Sequence, residues 1–296
     1  MTHSPPKVGS HLHRSMQLNI PLEHLFFVGD IQGGYDNFMA ALTAAGFSAD
    51  AGHRVFAVGD LIDGNPDGDK CLNLLNEPWF NSTRGNHEIY MHKACRKVTA
   101  ESLAVTSREL KELAVVTTGN TFDHILKNID LREAIPDAAI SAEMQLWLSA
   151  GGSWFFLNQF TPERQLEIIK QLNGYLFDGT LPVTLSIECQ GETFGLAHSW
   201  IPGIKWKSLT RSHTSLKLIG ERKLKNRQLF RGLEFLPPEH PYYVHHGLSA
   251  LILGHCVCPD KKPITRGNTL FLDTGAKRGG YPTVWTARQV LSAIKR

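Results

Sequence analysis

The chain contains three similarly built segments: FFVGDIQGG at residues 26–34, VFAVGDLIDGN at residues 55–65 and RGNHE at residues 84–88. The first two are apolar runs of strand length that end in Gly-Asp and continue into turn residues. This order predicts that Asp30 and Asp60 lie at the carboxyl ends of buried strands, where open α/β sheets place their chemistry. The third segment sets an amide, an imidazole and a carboxylate side by side. We therefore expect one polar site built from residues 26–88.

The pattern around these segments predicts an α/β fold. Residues 35–45 place Phe38 and Leu42 at helical spacing before a strand at 55–58, which indicates a βαβ unit with a parallel strand pair. From His87 to about residue 171 the apolar spacing is mostly helical. Strand-like apolar segments then return at residues 183–187, 193–197, 250–254, 269–273 and 282–286.

We expect a single domain, because no linker separates the strand-rich parts of the chain. Residues 1–21 contain three histidines, two consecutive prolines and few apolar residues, which is typical of a flexible N-terminal tail. Residues 22–296 are then one domain that includes a helical insertion at about 92–172. Insertions of this kind cover a face of the core, where substrate choice is commonly set.

The composition excludes several classes of protein. A content of 42% hydrophobic and 20% charged residues is ordinary for a soluble globular chain, and five scattered cysteines favour a reducing cytoplasm over a disulfide framework. The net charge of +3 gives little basis for binding nucleic acid, so a nuclease acting through the basic stretch 203–231 is a distant alternative. No apolar run is long enough to cross a membrane. We expect a cytoplasmic protein with neither a membrane nor a nucleic acid as partner.

Side chains of the metal-ligand type follow five of the apolar segments: Asp30, Asp60, Asn86, His198 and His255. Hydrolysis of a phosphoester at neutral pH needs a water nucleophile and neutralised phosphoryl oxygens, and two divalent ions supply both. Such a site uses a bridging carboxylate with oxygen and imidazole ligands on either side. One aspartate after glycine is usually a turn, and one buried histidine is usually structural. Five such residues at strand ends predict a dinuclear metal centre.

These motifs resemble the phosphoprotein phosphatase family of metallophosphoesterases, which have the calcineurin-like phosphoesterase fold. The matching residues are Gly29-Asp30-x-x-Gly33, Gly59-Asp60-x-x-Asp63, Gly85-Asn86-His87-Glu88 and the later segments 197–198, 254–255 and 273–275. Within the family, bacteriophage-lambda-type serine/threonine protein phosphatases are nearest through residues 147–156 and 273–276, and symmetric diadenosine tetraphosphatases are similar over much of the same frame. The resemblance covers about residues 24–290. It implies a metallophosphoesterase β-sandwich flanked by helices.

The resemblance also implies a role for each matching residue. Asp60 bridges two divalent metal ions, of which Asp30 and Gln32 complete the protein ligands of one. The other ion is held by Asn86, His198 and His255. Manganese is the expected metal, with iron, zinc and nickel as alternatives. His87 is the general acid for the leaving alkoxide, and Asp63 orients it and keeps it protonated, since a nearby carboxylate raises the pKa of an imidazole.

The chain departs from the family in the residues that grip phosphate. The family usually has histidine in place of Gln32, and its second motif continues into an arginine that clamps the phosphate, where this chain has Gly64. Loss of a bidentate arginine weakens recognition of phosphate oxygens. We expect the missing positive charge to come from Arg222, Lys277 or Arg278.

The predicted function is that of a metal-dependent phosphoester hydrolase, in the first place a serine/threonine protein phosphatase acting on a phosphorylated protein. The alternative is a hydrolase of diadenosine tetraphosphate or of another small phosphoester or pyrophosphate, because some tetraphosphatase relatives also have glutamine at the position of Gln32. A third reading is a catalytically impaired pseudophosphatase that acts as a binding protein, suggested by Gln32 and the missing arginine. The intact pair of Asp63 and His87 argues against it.

Overall fold

The computed structural model of the chain describes residues 12–116, 122–138, 140–201, 205–212, 237 and 240–294. The strands are β1 (His13–Leu18), β2 (Leu25–Val28), β3 (Arg54–Ala57), β4 (Phe80–Ser82), β5 (Thr184–Cys189), β6 (Glu192–Ala197), β7 (Ala250–Leu253), β8 (Ile264–Arg266), β9 (Thr269–Phe271) and β10 (Val284–Thr286). The helices are α1 (Tyr35–Ala44), α2 (Gly68–Asn73), α3 (Asn86–Ala94), α4 (Ala100–Val116), α5 (Phe122–Leu126), α6 (Leu131–Ala134), α7 (Ala142–Trp147), α8 (Trp154–Leu157), α9 (Pro162–Asp178), α10 (Trp206–Thr210) and α11 (Ala287–Ile294).

The strands form two sheets. One has the order β1-β5-β6-β7-β9-β8 and the other the order β10-β2-β3-β4. β2, β3 and β4 run parallel, and so do β6, β7 and β9. The predicted βαβ unit is β2-α1-β3, with Phe27 opposite Phe56. This architecture of two sheets with flanking helices confirms the predicted α/β sandwich.

The four-stranded sheet is buried on both faces. Phe27 and Phe56 belong to an apolar cluster shared with the six-stranded sheet, in which Phe194 lies 5.1 Å from Phe27 between ring centroids. On the opposite face, Phe26 and Val55 belong to the cluster that includes the helices. Because both faces are covered, these strands read as continuous apolar runs rather than alternating ones.

Every element described between β4 and β5 is helical, over the segment expected to form a helical insertion. The last of these helices, α9, has clear end signals: the Thr161 side chain accepts the Arg164 N–H, Pro162 occupies the first turn, and Gly179 ends the helix in a left-handed conformation with φ 90°. No helix in the described part of the chain is long and apolar enough to cross a membrane.

The expectation of a flexible tail over residues 1–21 is wrong for residues 13–18. They form β1, which pairs in parallel with β5 from His13 opposite Thr184 to Leu18 opposite Cys189. Met16 and Leu18 are half-buried and pack against the cluster between the sheets. Two alternating apolar residues in a polar segment are too weak a pattern to predict a strand, and the pairing with β5 supplies the missing stabilisation. Residues 1–11 lie outside the described chain.

Candidate metal centre

The carboxyl ends of six strands carry the candidate site. Asp30, Asp60 and Asn86 follow β2, β3 and β4, and His198, His255 and Asp273 follow β6, β7 and β9. Parallel strands end at the same edge of a sheet, so each sheet contributes three side chains to one rim.

Four predicted ligands converge closely. One ligand atom from each of Asp60, His198 and His255 lies within 4.8 Å of the other two. The Asn86 Oδ1 atom lies 2.9 Å from His198 Nε2 and 2.7 Å from His255 Nδ1. His198 Nε2 is also 3.3 Å from Asp60 Oδ1. The arrangement joins a carboxylate, an amide oxygen and two imidazoles around one point.

The protonation of His198 tests whether these residues fit a metal ion. Its Nδ1 lies 3.0 Å from the carbonyl oxygen of Val58, which only accepts, so Nδ1 carries the hydrogen. Burial lowers the pKa of His198 against the raising effect of the Asp60 charge, which favours the neutral ring. The Nε2 lone pair therefore faces oxygens of Asp60 and Asn86 that are acceptors too. A cation between them satisfies all of these lone pairs, so the donor set fits a divalent metal.

Asp30 and Gln32 lie on the other side of Asp60. Burial raises the pKa of Asp30 well above its usual range, and the charges of Asp273 and Asp60 add to this effect. Gln32 Nε2 donates to Asp60 Oδ2 at 3.1 Å and to Asp30 Oδ2 at 3.4 Å. Its Oε1 is buried without a hydrogen-bond partner among the described residues. The two close, buried carboxylates of Asp30 and Asp60 and the unsatisfied amide oxygen of Gln32 are ligands that fit a second cation. In this structure the amide nitrogen of Gln32, rather than its oxygen, faces the two carboxylates.

Close packing of the strand ends at this rim depends on glycine at two positions. A Cβ atom at Gly85 would overlap Asp60 Oδ1, and a Cβ atom at Gly254 would overlap Asp30 Oδ1. The glycines before Asn86 and His255 therefore make room for a carboxylate from another strand end.

His87 and Asp63 form a buried pair beside the ligand cluster. His87 Nδ1 lies 2.7 Å from Asp63 Oδ2, and His87 Nε2 lies 3.6 Å from Asp60 Oδ2. Burial by itself lowers the pKa of His87, but the Asp60 charge and the hydrogen bond to Asp63 outweigh it and raise the pKa above its ordinary value. The Lys277 charge acts in the opposite direction. An imidazole with a raised pKa, whose Nδ1 is held by Asp63 beside a metal-ligand cluster, suits proton transfer through Nε2.

Of the three cations expected at the phosphate, Lys277 lies against this pair. Its Nζ is 3.2 Å from His87 Nε2 and donates to the Ala150 carbonyl oxygen at 3.1 Å. The Lys277 stem lies over Gly64, where a Cβ atom would come within 2.7 Å of Lys277 Cγ. Arg278 is exposed, and Arg222 lies outside the described residues.

Sequence reasoning assigned no role to two further buried carboxylates. Glu88 accepts the backbone N–H groups of Gly85 at 2.6 Å, Leu61 at 2.8 Å and Asp60 at 3.2 Å, and so fixes the loop that carries Asp60. Burial and the Asp60 charge raise the pKa of Glu88 to about 7. Asp273 accepts the Gly275 N–H at 2.9 Å. Both residues belong to motifs that the sequence shows, Gly-Asn-His-Glu for Glu88 and Asp-Thr-Gly for Asp273, and this was the signal that could have pointed to a role for them.

Two tryptophans from the helical segment were also missed. Trp147 Nε1 donates to Asp63 at 3.0 Å, and Trp154 Nε1 donates to the same carboxylate at 2.7 Å. Nothing local in the sequence links these residues to Asp63, because the contact joins separate elements.

Known proteins resemble this chain over most of its length. The chain is 26% identical over 263 residues to serine/threonine-protein phosphatase 1 of Salmonella typhimurium, covering 88% of this chain and 90% of that protein. It is 24% identical over 261 residues to serine/threonine-protein phosphatase 2 of Escherichia coli (strain K12), covering 87% and 89%. A crystal structure of a protein assigned as a diadenosine tetraphosphatase aligns with a TM-score of 0.45 and 15% identity, over 92% of this chain and 97% of that one.

The sequence profile described as calcineurin-like phosphoesterase matches residues 24–255, which contain all the candidate ligands. The chain therefore belongs to the calcineurin-like phosphoesterase family and is a metal-dependent phosphoester hydrolase.

Proposed function

We propose that the chain is a serine/threonine protein phosphatase that acts on phosphorylated proteins. The observation that carries this proposal is the buried pair of His87 and Asp63, with His87 Nε2 only 3.6 Å from an oxygen of Asp60 in the ligand cluster. The Salmonella typhimurium and Escherichia coli relatives described above, which match over most of their length, are named serine/threonine-protein phosphatases. The site supports the chemistry, and the relatives support the substrate class.

The metal ligands divide into two groups that share Asp60. Asn86, His198 and His255 would hold one ion with Asp60, and Asp30 and Gln32 would hold the other. When bound, the ions supply Lewis acidity and neutralise charge on the phosphoryl oxygens. The mixture of carboxylate, amide and imidazole ligands supports manganese, with iron, zinc and nickel as alternatives.

His87 would donate its Nε2 proton to the leaving alkoxide of serine or threonine. Its Nδ1 is occupied by Asp63, so Nε2 is the ring nitrogen available to the substrate. The Lys277 ammonium, 3.2 Å from that nitrogen, would contact the phosphoryl oxygens in place of a guanidinium. Lysine acts there as a point charge without the fork geometry of arginine. Lys277 is the predicted phosphate-binding cation that lies beside His87; Arg278 is exposed, and Arg222 lies outside the described residues.

We also propose a cytoplasmic location. The five cysteines lie buried as thiols, which supports a reducing compartment.

Turnover of three substrates in parallel tests the function. The purified protein would be incubated with Mn²⁺ and either p-nitrophenyl phosphate, a phosphoserine peptide or diadenosine tetraphosphate. We expect metal-dependent turnover with the highest kcat/KM on the peptide. Preference for the dinucleotide would favour the diadenosine tetraphosphatase alternative. Absence of metal-dependent turnover on all three substrates would refute the enzyme and leave the pseudophosphatase.

The variant His87→Asn tests the mechanism. We expect kcat on the peptide to fall by about 10²-fold or more, because general acid catalysis is lost. Binding of Mn²⁺ should persist, since His87 is not a proposed ligand. His246→Asn, at an exposed histidine outside the site, is the matched control.

A further inference from the structure

Asp63 is fully buried and accepts hydrogen bonds from three ring N–H groups. His87 Nδ1 lies 2.7 Å from Oδ2, and Trp147 Nε1 lies 3.0 Å from Oδ2 and 3.1 Å from Oδ1. Trp154 Nε1 lies 2.7 Å from Oδ1. Both carboxylate oxygens therefore have ring donors, and two of the three donors come from the helical segment rather than from the strand ends.

Each indole rests on a glycine. A Cβ atom at Gly152 would come within 2.5 Å of the Trp147 ring, and a Cβ atom at Gly68 would come within 2.5 Å of the Trp154 ring. Both rings are buried. The indoles reach Asp63 only because bare backbone lies beneath them, so their positions are fixed by packing as well as by hydrogen bonds.

The chain between the tryptophans touches the same site. We call residues 147–154 the tryptophan turn; in its central part, Leu148–Gly152, the helical path is kinked at Gly151, which has φ 112°. The Gly151 carbonyl accepts the Gly64 N–H at 3.0 Å, and the Ala150 carbonyl accepts Lys277 Nζ at 3.1 Å. The turn therefore contacts the residue after Asp63 as well as the lysine beside His87.

We propose that the tryptophan turn is the positioning element of the general acid. Trp147 and Trp154 hold the Asp63 carboxylate in the one orientation that engages His87 Nδ1, so that Nε2 points to the leaving group. The inference rests on the proposed role of His87 as general acid. Without the indole donors, the carboxylate can rotate about its Cβ–Cγ bond, and the imidazole that is hydrogen-bonded to it loses its fixed orientation.

This role has a chemical signature in the leaving group. A water oxygen forms the new P–O bond and its protons stay with the phosphate product, while the bond to the leaving oxygen breaks and its electron pair stays on that oxygen. The leaving oxygen takes the proton of His87 Nε2. Phenolate needs this proton much more than p-nitrophenolate, which is stable as an anion. A misplaced acid therefore slows hydrolysis of phenyl phosphate more than hydrolysis of p-nitrophenyl phosphate.

The test uses Trp147→Phe and Trp154→Phe in the Mn²⁺-loaded protein with both aryl phosphates. We expect kcat on phenyl phosphate to fall by about tenfold, as partial loss of general acid catalysis, with little change on p-nitrophenyl phosphate or in either KM. Trp206→Phe is the matched control, because Trp206 is buried and donates to Ser186 Oγ at 2.8 Å away from the metal centre. In Trp206→Phe, the ratio of kcat on phenyl phosphate to kcat on p-nitrophenyl phosphate should equal that of the wild type.

A His87→Asn background separates positioning from general destabilisation. There the tryptophan substitutions should add no further loss, because the acid that they position is already absent. Where phenylalanine prevents folding, β-(3-benzothienyl)alanine at position 147 or 154 keeps the ring shape and its glycine contact but removes the N–H group.

Equal losses on the two aryl phosphates, or a loss that persists in the His87→Asn background, would overturn the positioning role and leave the proposed function standing. A wild-type protein without metal-dependent turnover would instead refute the proposed function, and this inference with it.

Discussion

Gln32, Asp60, Asp63 and His255 have φ angles of 55°, 48°, 74° and 70°. This left-handed region costs a non-glycine residue roughly 1–2 kcal/mol. All four lie at the ends of strands or in the turn that follows, where they carry the candidate ligands and the partner of the acid. Backbone strain of this kind persists where the surrounding contacts determine the conformation. At Asp60, the backbone N–H donates to the Glu88 carboxylate at 3.2 Å, which holds the strained loop in place.

For the single residue Gln32, the substitution Gln32→His should tighten binding of Mn²⁺. The Gln32 amide nitrogen now faces Asp30 and Asp60, whereas an imidazole offers a lone pair at the same place. We expect the Kd, measured by titration calorimetry, to fall by about tenfold.

The matched control for this change is Gln190→His, which adds a histidine at an exposed turn with φ 50°. An unchanged affinity in Gln32→His would show that the side chain at position 32 does not contact the ion.

A second residue-level prediction concerns Gly64→Ala. The new methyl group would come within 2.7 Å of Lys277 Cγ and displace that side chain from His87. We expect kcat to fall by about tenfold or more, because small displacements in an active site are costly. Gly52→Ala is the control, since Gly52 has φ 76° and open space around it, against φ 80° at Gly64. Equal kcat values in the two variants would contradict the prediction.

Among the elements, those that could be predicted from the sequence were long or strongly apolar. β2 and β3 read as continuous apolar runs because both of their faces are buried, and α9 has end signals at Thr161 and Gly179. β4 and β8, at three residues each, are too short to show a period. The indole contacts with Asp63 could not be predicted, since they depend on how the helical segment packs on the strand ends.

β1 leads to a prediction at the scale of the element. Leu18 packs on the cluster between the sheets, whereas its neighbour Gln17 is exposed. Leu18→Asp should lower the free energy of unfolding by about 1–3 kcal/mol through lost burial, measured by urea denaturation. Gln17→Asp on the same strand should change it by less than about 0.5 kcal/mol. Equal effects of the two substitutions would mean that β1 adds no apolar packing.

For the whole molecule, two sheets close over one apolar layer and bring six strand ends to one rim. The rule that ligands follow the carboxyl ends of parallel strands led from the sequence to Asp30, Asp60, His198 and His255, and the Gly-Asn-His-Glu segment led to Asn86. The rule could not determine which way the Gln32 amide faces, or that Lys277 reaches His87. Those outcomes depend on side-chain packing between distant loops, such as the fit of Lys277 over Gly64.

Buried His245 makes the free energy of unfolding of the protein depend on pH. It is buried before β7, and neither ring nitrogen has a hydrogen-bond partner among the described residues. Burial lowers its pKa from 6.5 to about 4, so the unfolded chain takes up a proton before the folded chain does. Its contribution is therefore complete above pH 6.5 and is lost as the pH falls to about 4, for a total of about 3 kcal/mol.

Replacing this histidine should make the fold less sensitive to acid. In His245→Leu, we expect the fall in unfolding free energy between pH 7 and pH 4 to be smaller than in the wild type by about 2–3 kcal/mol, measured by urea denaturation at each pH. His124→Leu, at an exposed position in α5, should keep nearly the whole wild-type dependence of unfolding free energy on pH. A wild-type slope in His245→Leu would mean that the His245 ring is already protonated, or reaches water, in the folded protein. The comparison of slopes, rather than of stabilities at one pH, isolates the proton from the change in packing.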